Sequence, residues 1–348
     1  MEVGFLKVCW LGGWLVLLTA SGAASSLLAA SDPPVDSAVA AVDASGPAVI
    51  LVLGAPGEAG YEQAFQRQQA LWQDAVRRAN GTLQVVGEPS GEGTTRDFER
   101  LRDLVVQLAS DPADGRPLWL ILVGHGSFDG KEAKFNLRGP DLTADVLAEW
   151  LAPLKQPQAV VVASSASAPF LAKLSRPGRV VVVATRSGYE QNYVRFGEYL
   201  AEVVADPAGD LDRDGQTSLL EAFLRAAHLT AEFYRNDGRL VTEHALIDDT
   251  GDGRGTPAEW FRGTRAVKKA AEGAVLDGLR AHQWHLLRSP GEQRLTSVQR
   301  ERRDALEREI DALRSRKENL PEADYLAQLE QRLIELARIY EAADPGKP

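Results

Sequence analysis

Asp210-Leu-Asp-Arg-Asp-Gly-Gln-Thr-Ser-Leu-Leu-Glu221 is where residue types and spacing most directly specify a chemistry. Asp210, Asp212 and Asp214 alternate, so their carboxylates can converge on one point. Gly215 allows a sharp bend, Gln216 offers its backbone carbonyl, Ser218 reaches an ion through water, and Glu221 can close the shell with both oxygens. This is an EF-hand-like loop, and calcium is the expected ion. Ser218 to Glu221 also reads as a capping box for the helix continuing through Phe223 and Leu224. A capping box alone leaves three alternating aspartates unexplained. Two features depart from an EF-hand: Thr217 replaces the usual apolar residue, and Asp206-Pro-Ala-Gly209 interrupts any entering helix. A weaker carboxylate run, Asp248, Asp249 and Asp252, forms a candidate second cation site, with Glu243 as a further ligand. Asp-Gly pairs also simply make turns.

A base and a hydroxyl form the other constellation. His125 sits between Gly124 and Gly126 after the apolar run Leu118–Val123, and Ser165 follows the apolar run Ala159–Val162. Two more continuous runs, 48–53 and 179–184, and a shorter one at 83–86 have the composition of strands buried on both faces. Between them lie helical patterns at 58–80, 96–109 and 142–151, and a short helix through Phe170 and Leu174. Strands alternating with helices predict an α/β three-layer sandwich around a mostly parallel sheet. In such folds functional groups collect beyond the carboxyl ends of the strands. Neighbouring strands lie about 4.8 Å apart, so His125 and Ser165 can share one site.

Gly124-His125-Gly126, then about forty residues, then Ser164-Ser-Ala-Ser-Ala168 after a strand resembles the caspase, legumain and gingipain superfamily of cysteine peptidases. In that family a histidine follows the third strand, and a cysteine in an Ala-Cys-x-Ser-Gly-like turn follows the fourth. The resemblance covers the α/β domain at 47–264 and implies a caspase/legumain-like topology. It also implies that Ser165 stands at the nucleophile position, and that Arg186, at the end of the next strand, borders the substrate pocket. A thiol titrates near 8.5, within reach of a neighbouring histidine, whereas a hydroxyl needs a base held by a third group. Asp129, Asp141 and Glu190 are candidates for that group. The expectation is a peptidase homologue inactive as a cysteine enzyme that binds peptide or protein. One alternative is a hydrolase using a Ser165–His125 dyad with backbone N–H groups near Gly126 and Ser165 as oxyanion donors. Another is a calcium-stabilised structural or assembly module.

Residues 1–24 read as an export signal, with apolar Val8–Leu18 followed by small residues. Residues 25–46, rich in Ala, Ser, Pro and Asp, read as a flexible linker. The expected location is secreted or periplasmic. The alternative is an uncleaved N-terminal anchor holding the chain on the exported side, the only case with a membrane partner. Cys9, the sole cysteine, lies within the signal, which leaves the mature chain without a thiol nucleophile. The formal charge of −10 gives no reason to expect a nucleic-acid partner. Residues 265–343 are expected to form a coiled-coil-like helical hairpin, with 344–348 as a tail. Leu326, Leu329, Leu333, Leu336 and Tyr340 are its expected seam, which also suits helix-mediated self-association. His228, His244, His282 and His285 lack zinc-ligand spacing, and the last two read as helix surface.

Overall fold

Runs of Val, Ile and Leu cannot leave one face wet, so each must become a strand covered on both sides. The computed structural model, which describes residues 46–88, 96–110, 115–272 and 274–343, shows this. The expected signal with Cys9, the linker up to residue 45 and the tail at 344–348 lie outside the described residues. Strands β1 (Ala48–Leu53), β2 (Thr82–Val86), β3 (Leu118–Gly124), β7 (Gln158–Ser164) and β8 (Arg179–Val183) run parallel. The sheet order is β10-β9-β8-β7-β3-β1-β2, where β9 (Leu246–Asp248) and β10 (Thr256–Pro257) add an antiparallel edge. A side sheet of β4 (Gly126–Phe128), β5 (Ala133–Phe135) and β6 (Leu142–Thr143) grows directly out of the end of β3.

Strand alternation sorts the core into two layers. Val49, Leu51, Trp119, Ile121, Val123 and Val161 face α1 (Ala59–Arg78), α5 (Phe196–Val203) and α6 (Leu219–Asn236). Ile50, Val52, Leu120, Leu122 and Val162 face α2 (Asp97–Ser110), α3 (Ala144–Leu151) and α4 (Ala168–Leu174). The helices supply apolar residues at helical spacing, such as Phe65, Trp72 and Val76 on α1 and Leu101 and Val105 on α2. Each fully buried side chain of this size contributes roughly 1.5–3 kcal/mol. The expected three-layer α/β sandwich with a mostly parallel sheet is what the chain adopts.

The boundary expected at 264/265 needs correction. Ala266, Ala281, Trp284 and Leu286 belong to the core under α6, so the irregular segment holding α7 (Leu279–His282) is part of the α/β unit. The helical hairpin begins only after α8 (Pro290–Gln293), as α9 (Ser297–Ser315) and α10 (Glu322–Ala343). Its seam is shifted too. On α10, Tyr325, Leu329, Arg332, Leu336 and Ile339 are covered, whereas Leu326, Leu333 and Tyr340 are exposed. Arg302 on α9 grips Glu335 on α10 with two bonds of 2.6 and 2.8 Å, so charge pairing helps set this register. Among the described residues, no helix is long and apolar enough to cross a membrane.

At the amino ends of β7 and β8 the buried Arg179 ties the connections together. Its Nε and Nη2 donate to Gln158 Oε1 at 3.0 and 2.7 Å, and it also donates to the carbonyls of Leu174 and Leu151. No carboxylate is among these acceptors, and burial pushes the guanidinium down to about 10. Arg179→Leu should cost about 2–3 kcal/mol in urea unfolding, because three acceptors would be left dry. An unchanged unfolding midpoint would show that water replaces the guanidinium.

Candidate functional site at the carboxyl ends of the parallel strands

The last registered pair of β3 and β7 is Gly124 with Ser164, so His125 and Ser165 are the next residues on each strand. The topology brings the two chain positions together as the sequence implied. Their side chains do not form a dyad. Ser165 is 2% exposed; its Oγ accepts from the Gly126 N–H at 3.0 Å and donates to the Gly126 carbonyl at 3.1 Å. The hydroxyl thus completes the ladder between two strands after their backbones diverge. Gly126 is required by close approach, since a Cβ there would lie 2.2 Å from the Ser165 carbonyl oxygen. Its N–H is committed to Ser165, which corrects the expectation that it serves as an oxyanion donor.

The turn after Ser165 is fixed from several sides. Ala166 takes φ 53°, a left-handed conformation costly for alanine, and its N–H bonds to the Glu190 carbonyl at 2.8 Å. Ser167 Oγ accepts from the N–H groups of Ala184 and Thr185 at 3.0 and 3.1 Å. These bonds join the turn to the end of β8 and hold Ser165 inward.

His125 continues the alternation of Trp119, Ile121 and Val123 and so faces the α1 layer. Tyr61 meets its ring edge-on at 4.6 Å, with Phe65 and Tyr193 each 5.7 Å away. Burial pushes its pKa below the usual histidine range, and the Pro56 carbonyl and the Glu58 charge only partly offset this. No hydrogen bond joins it to Ser165, whose Oγ is engaged by Gly126. None of the three expected orienting acids reaches the imidazole. Asp129 accepts from Lys131 and Glu132 within its own turn, Asp141 accepts from Leu137, and Glu190 binds His244 Nδ1 at 2.6 Å. Arg186 is exposed and leans on Glu190 at 3.3 Å, so its guanidinium is held at the rim. Beside it Tyr189, 75% exposed, packs edge-on against Phe128 at 5.3 Å. Tyr61 and Tyr193 also line an open cavity of about 530 Å³ with Arg67, Arg195 and Arg239.

The acidic loop has the backbone its spacing implies. Asp210 accepts from Arg213, Asp214 and Gly215, and Gly215 takes φ 92° to make the bend. Carboxylate oxygens of Asp210, Asp212 and Asp214 lie within 4.8 Å of one another, close enough for a single cation. Glu221 instead converges with Asp212 and His282, whose ligand atoms lie within 4.8 Å of one of its oxygens. It is buried, one oxygen accepts from Leu211 and Asp212, and the other accepts from the N–H and Oγ of Ser218. The capping box is therefore formed, and Glu221 would have to release Ser218 to close a shell with both oxygens. His282 Nε2 meets Asp212 Oδ2 at 2.9 Å, a partner missed because a surface position some seventy residues away carries no spacing signal.

The second cation site is not assembled, which corrects that expectation. Asp248 accepts from Thr250, Gly251, Gly253 and the Ser175 hydroxyl. Asp249 accepts from Gly278 and Ala281 at the start of α7, and Asp252 accepts from Arg254. Glu243 binds the N–H groups of Arg195 and Phe196, where α5 begins. Each carboxylate satisfies a different set of amides, and among the described residues they form no shared ligand group.

No protein-family model matches the chain, and no curated protein matches it. Among solved structures it is similar to the Drosophila initiator caspase Dronc, with 14% identity over 59% of this chain and 80% of that one, at a TM-score of 0.39. It is also similar to caspase-1 from Spodoptera frugiperda, with 10% identity over 59% and 86%, at a TM-score of 0.39. A third is Chaetomium thermophilum Raptor, with 9% identity over 47% of this chain and 18% of that one, at a TM-score of 0.34.

His125 generates a pH prediction. Its folded-state pKa lies below its unfolded value of 6.5, so the unfolded chain takes up the proton first on acidification. Its contribution to stability is complete above the unfolded value and declines as pH falls through the folded one. As pH falls below 6.5 the wild type should lose more unfolding free energy than His125→Phe. Parallel losses in the two proteins would show that the ring has no such role.

Proposed function

We propose that the chain is a non-catalytic relative of the caspase/legumain peptidases that binds peptide or protein at its strand-end surface. Its support is the arrangement of residues at the two strand ends: the right elements deliver a histidine and a serine, yet the serine acts as a cross-strand bond. The single observation that carries this reading is the Ser165 hydroxyl, buried and engaged by both polar groups of Gly126. A nucleophile must reach a substrate carbon and give its proton to a base within about 3 Å. Ser165 does neither here.

The cavity lined by Tyr61 and Tyr193 is the surface we assign to peptide. It combines aromatic faces with guanidinium groups, a composition that recurs in recognition sites. Activity is expected to be absent even with a cysteine at position 165. A fluorophosphonate probe should fail to label the intact protein, and Ser165→Cys should neither hydrolyse a mixed peptide library nor react with an electrophilic peptide. Labelling of Ser165, or hydrolysis gained by the cysteine variant, would overturn it. Binding is measured separately by anisotropy with labelled peptides, where Tyr193→Ala should weaken it about tenfold.

Calcium enters as part of the same proposal. The residues fit the ion in part: Asp210, Asp212, Asp214 and the Gln216 carbonyl would hold it, and Glu221 would join on leaving Ser218. Calcium would neutralise the clustered carboxylates and stabilise the turn into α6. On the exported side even an affinity of about millimolar would keep it bound. Adding calcium at about a hundredfold excess over its Kd should raise stability by about 2.7 kcal/mol. Chelation should reverse this, and Asp212→Asn should abolish the response. An identical melting temperature with and without calcium would exclude the ion.

A further inference from the structure

At the opposite end of the sheet, where β3 and β7 begin, a cavity of about 480 Å³ opens between Pro117, Pro157 and the segment from α7 to α9. The chain carries a formal charge of −10, yet six arginines line this one cavity: Arg116, Arg280, Arg288, Arg300, Arg303 and Arg308. Of the acidic groups beside them, Glu292 is held by Arg303 in a fork of 2.6 and 2.8 Å, and Asp304 accepts from Arg303 Nε at 2.7 Å. Arg308 donates to the neutral Gln283 at 2.7 Å.

Arg280 stands apart from the others. It is half-buried, and its guanidinium makes no hydrogen bond among the described residues. Burial disfavours its charge most, and the neighbouring positive charge of Arg308 adds to this; Asp249 and Asp304 act in the opposite direction. A half-buried guanidinium beside a like charge, with no protein acceptor, is an unfavourable arrangement for a ligand-free surface. Two more polar atoms nearby lack partners. Trp284 Nε1 and His285 Nε2 are buried and unbonded, and both residues line the same cavity.

We propose that this cavity binds a compact multivalent oxyanion, a phosphate or a small di- or tricarboxylate, between Arg280 and Arg308. The planar fork of a guanidinium matches two oxygens of either group, and an anion would cancel the repulsion between the two arginines. The cavity is separate from the His125–Ser165 end, so the inference does not depend on the peptide-binding proposal. Its volume suits a small molecule, and the chain's net charge of −10 opposes a nucleic-acid strand.

The test uses the intact protein. Thermal unfolding is followed in inorganic phosphate, succinate and citrate, with chloride as the reference at equal ionic strength. At least one oxyanion should raise the melting temperature in a saturable way. Arg280→Gln should weaken the apparent affinity at least about tenfold, the scale of a lost charged hydrogen bond. Without anion, Arg280→Gln should melt at or above the wild type, because a repelled and desolvated charge is gone. Arg308→Gln, measured by titration calorimetry, gives an independent second variant. Lys173→Gln, on an exposed ion pair of α4, should leave the response unchanged. A response to phosphate alone, or to the carboxylates alone, would support the proposal and identify the source. No stabilisation beyond chloride, or an undiminished response in both arginine variants, would overturn it.

Discussion

The carboxyl end of this sheet depends on one side-chain bridge. Past Gly124 and Ser164 the two central strands separate, β3 turning into the side sheet and β7 into α4. At that point the backbone polar groups of Gly126 would face a neighbour with no matching amide. Ser165 Oγ supplies both a donor and an acceptor to the same residue, which is what a backbone neighbour would have offered. A thiol is a weaker donor and acceptor and a larger atom, so cysteine would serve this bridge poorly. The hydroxyl is suited to structure where sulfur would be suited to attack.

That bridge also decides what His125 can be. With Ser165 facing Gly126, the imidazole has no proton to accept from it, and the ring is packed among Tyr61, Phe65 and Tyr193. The same burial that favours neutral imidazole also fixes it as a part of the core rim. The left-handed Ala166 and the bonds from Ser167 to the end of β8 keep the turn from opening. Rotating Ser165 outward would take both of its hydrogen bonds from the part-buried N–H and carbonyl of Gly126. The structure therefore offers aromatic surface at this end more readily than a reacting pair.

The layered fold was legible because strands such as Leu118–Val123 and Ala159–Val162 are apolar throughout, which only a doubly covered sheet tolerates. The adjacency of His125 and Ser165 followed from strand order. The direction of the Ser165 hydroxyl could not be read, since it depends on Gly126 leaving the ladder one residue later. The seam of α10 was misplaced by one position because Leu326 and Leu333 suit the pattern as well as Tyr325 and Arg332 do. Arg302 and Glu335, with the cover over Tyr325, select the other stripe. Residues 266–286 gave no periodic signal, so their core residues Ala281, Trp284 and Leu286 were hidden in an irregular segment.

The carboxylates show why acidic motifs are a poor guide to cations without geometry. An ionised carboxylate can bind either an ion or several amides, and irregular segments contain many amides in need of acceptors. Asp248, Asp249 and Glu243 are buried, and each takes up the N–H groups of a turn or a helix start. Asp277, packed against Asp249, is pushed up to about 7, first by burial and then by that neighbouring charge. The loop from Asp210 to Asp214 differs in one respect that spacing alone does not convey: its three carboxylates are at the surface and converge while still accepting from their own backbone. Convergence at low burial leaves room for a cation and water. It sets this loop apart from the acidic residues that close the fold.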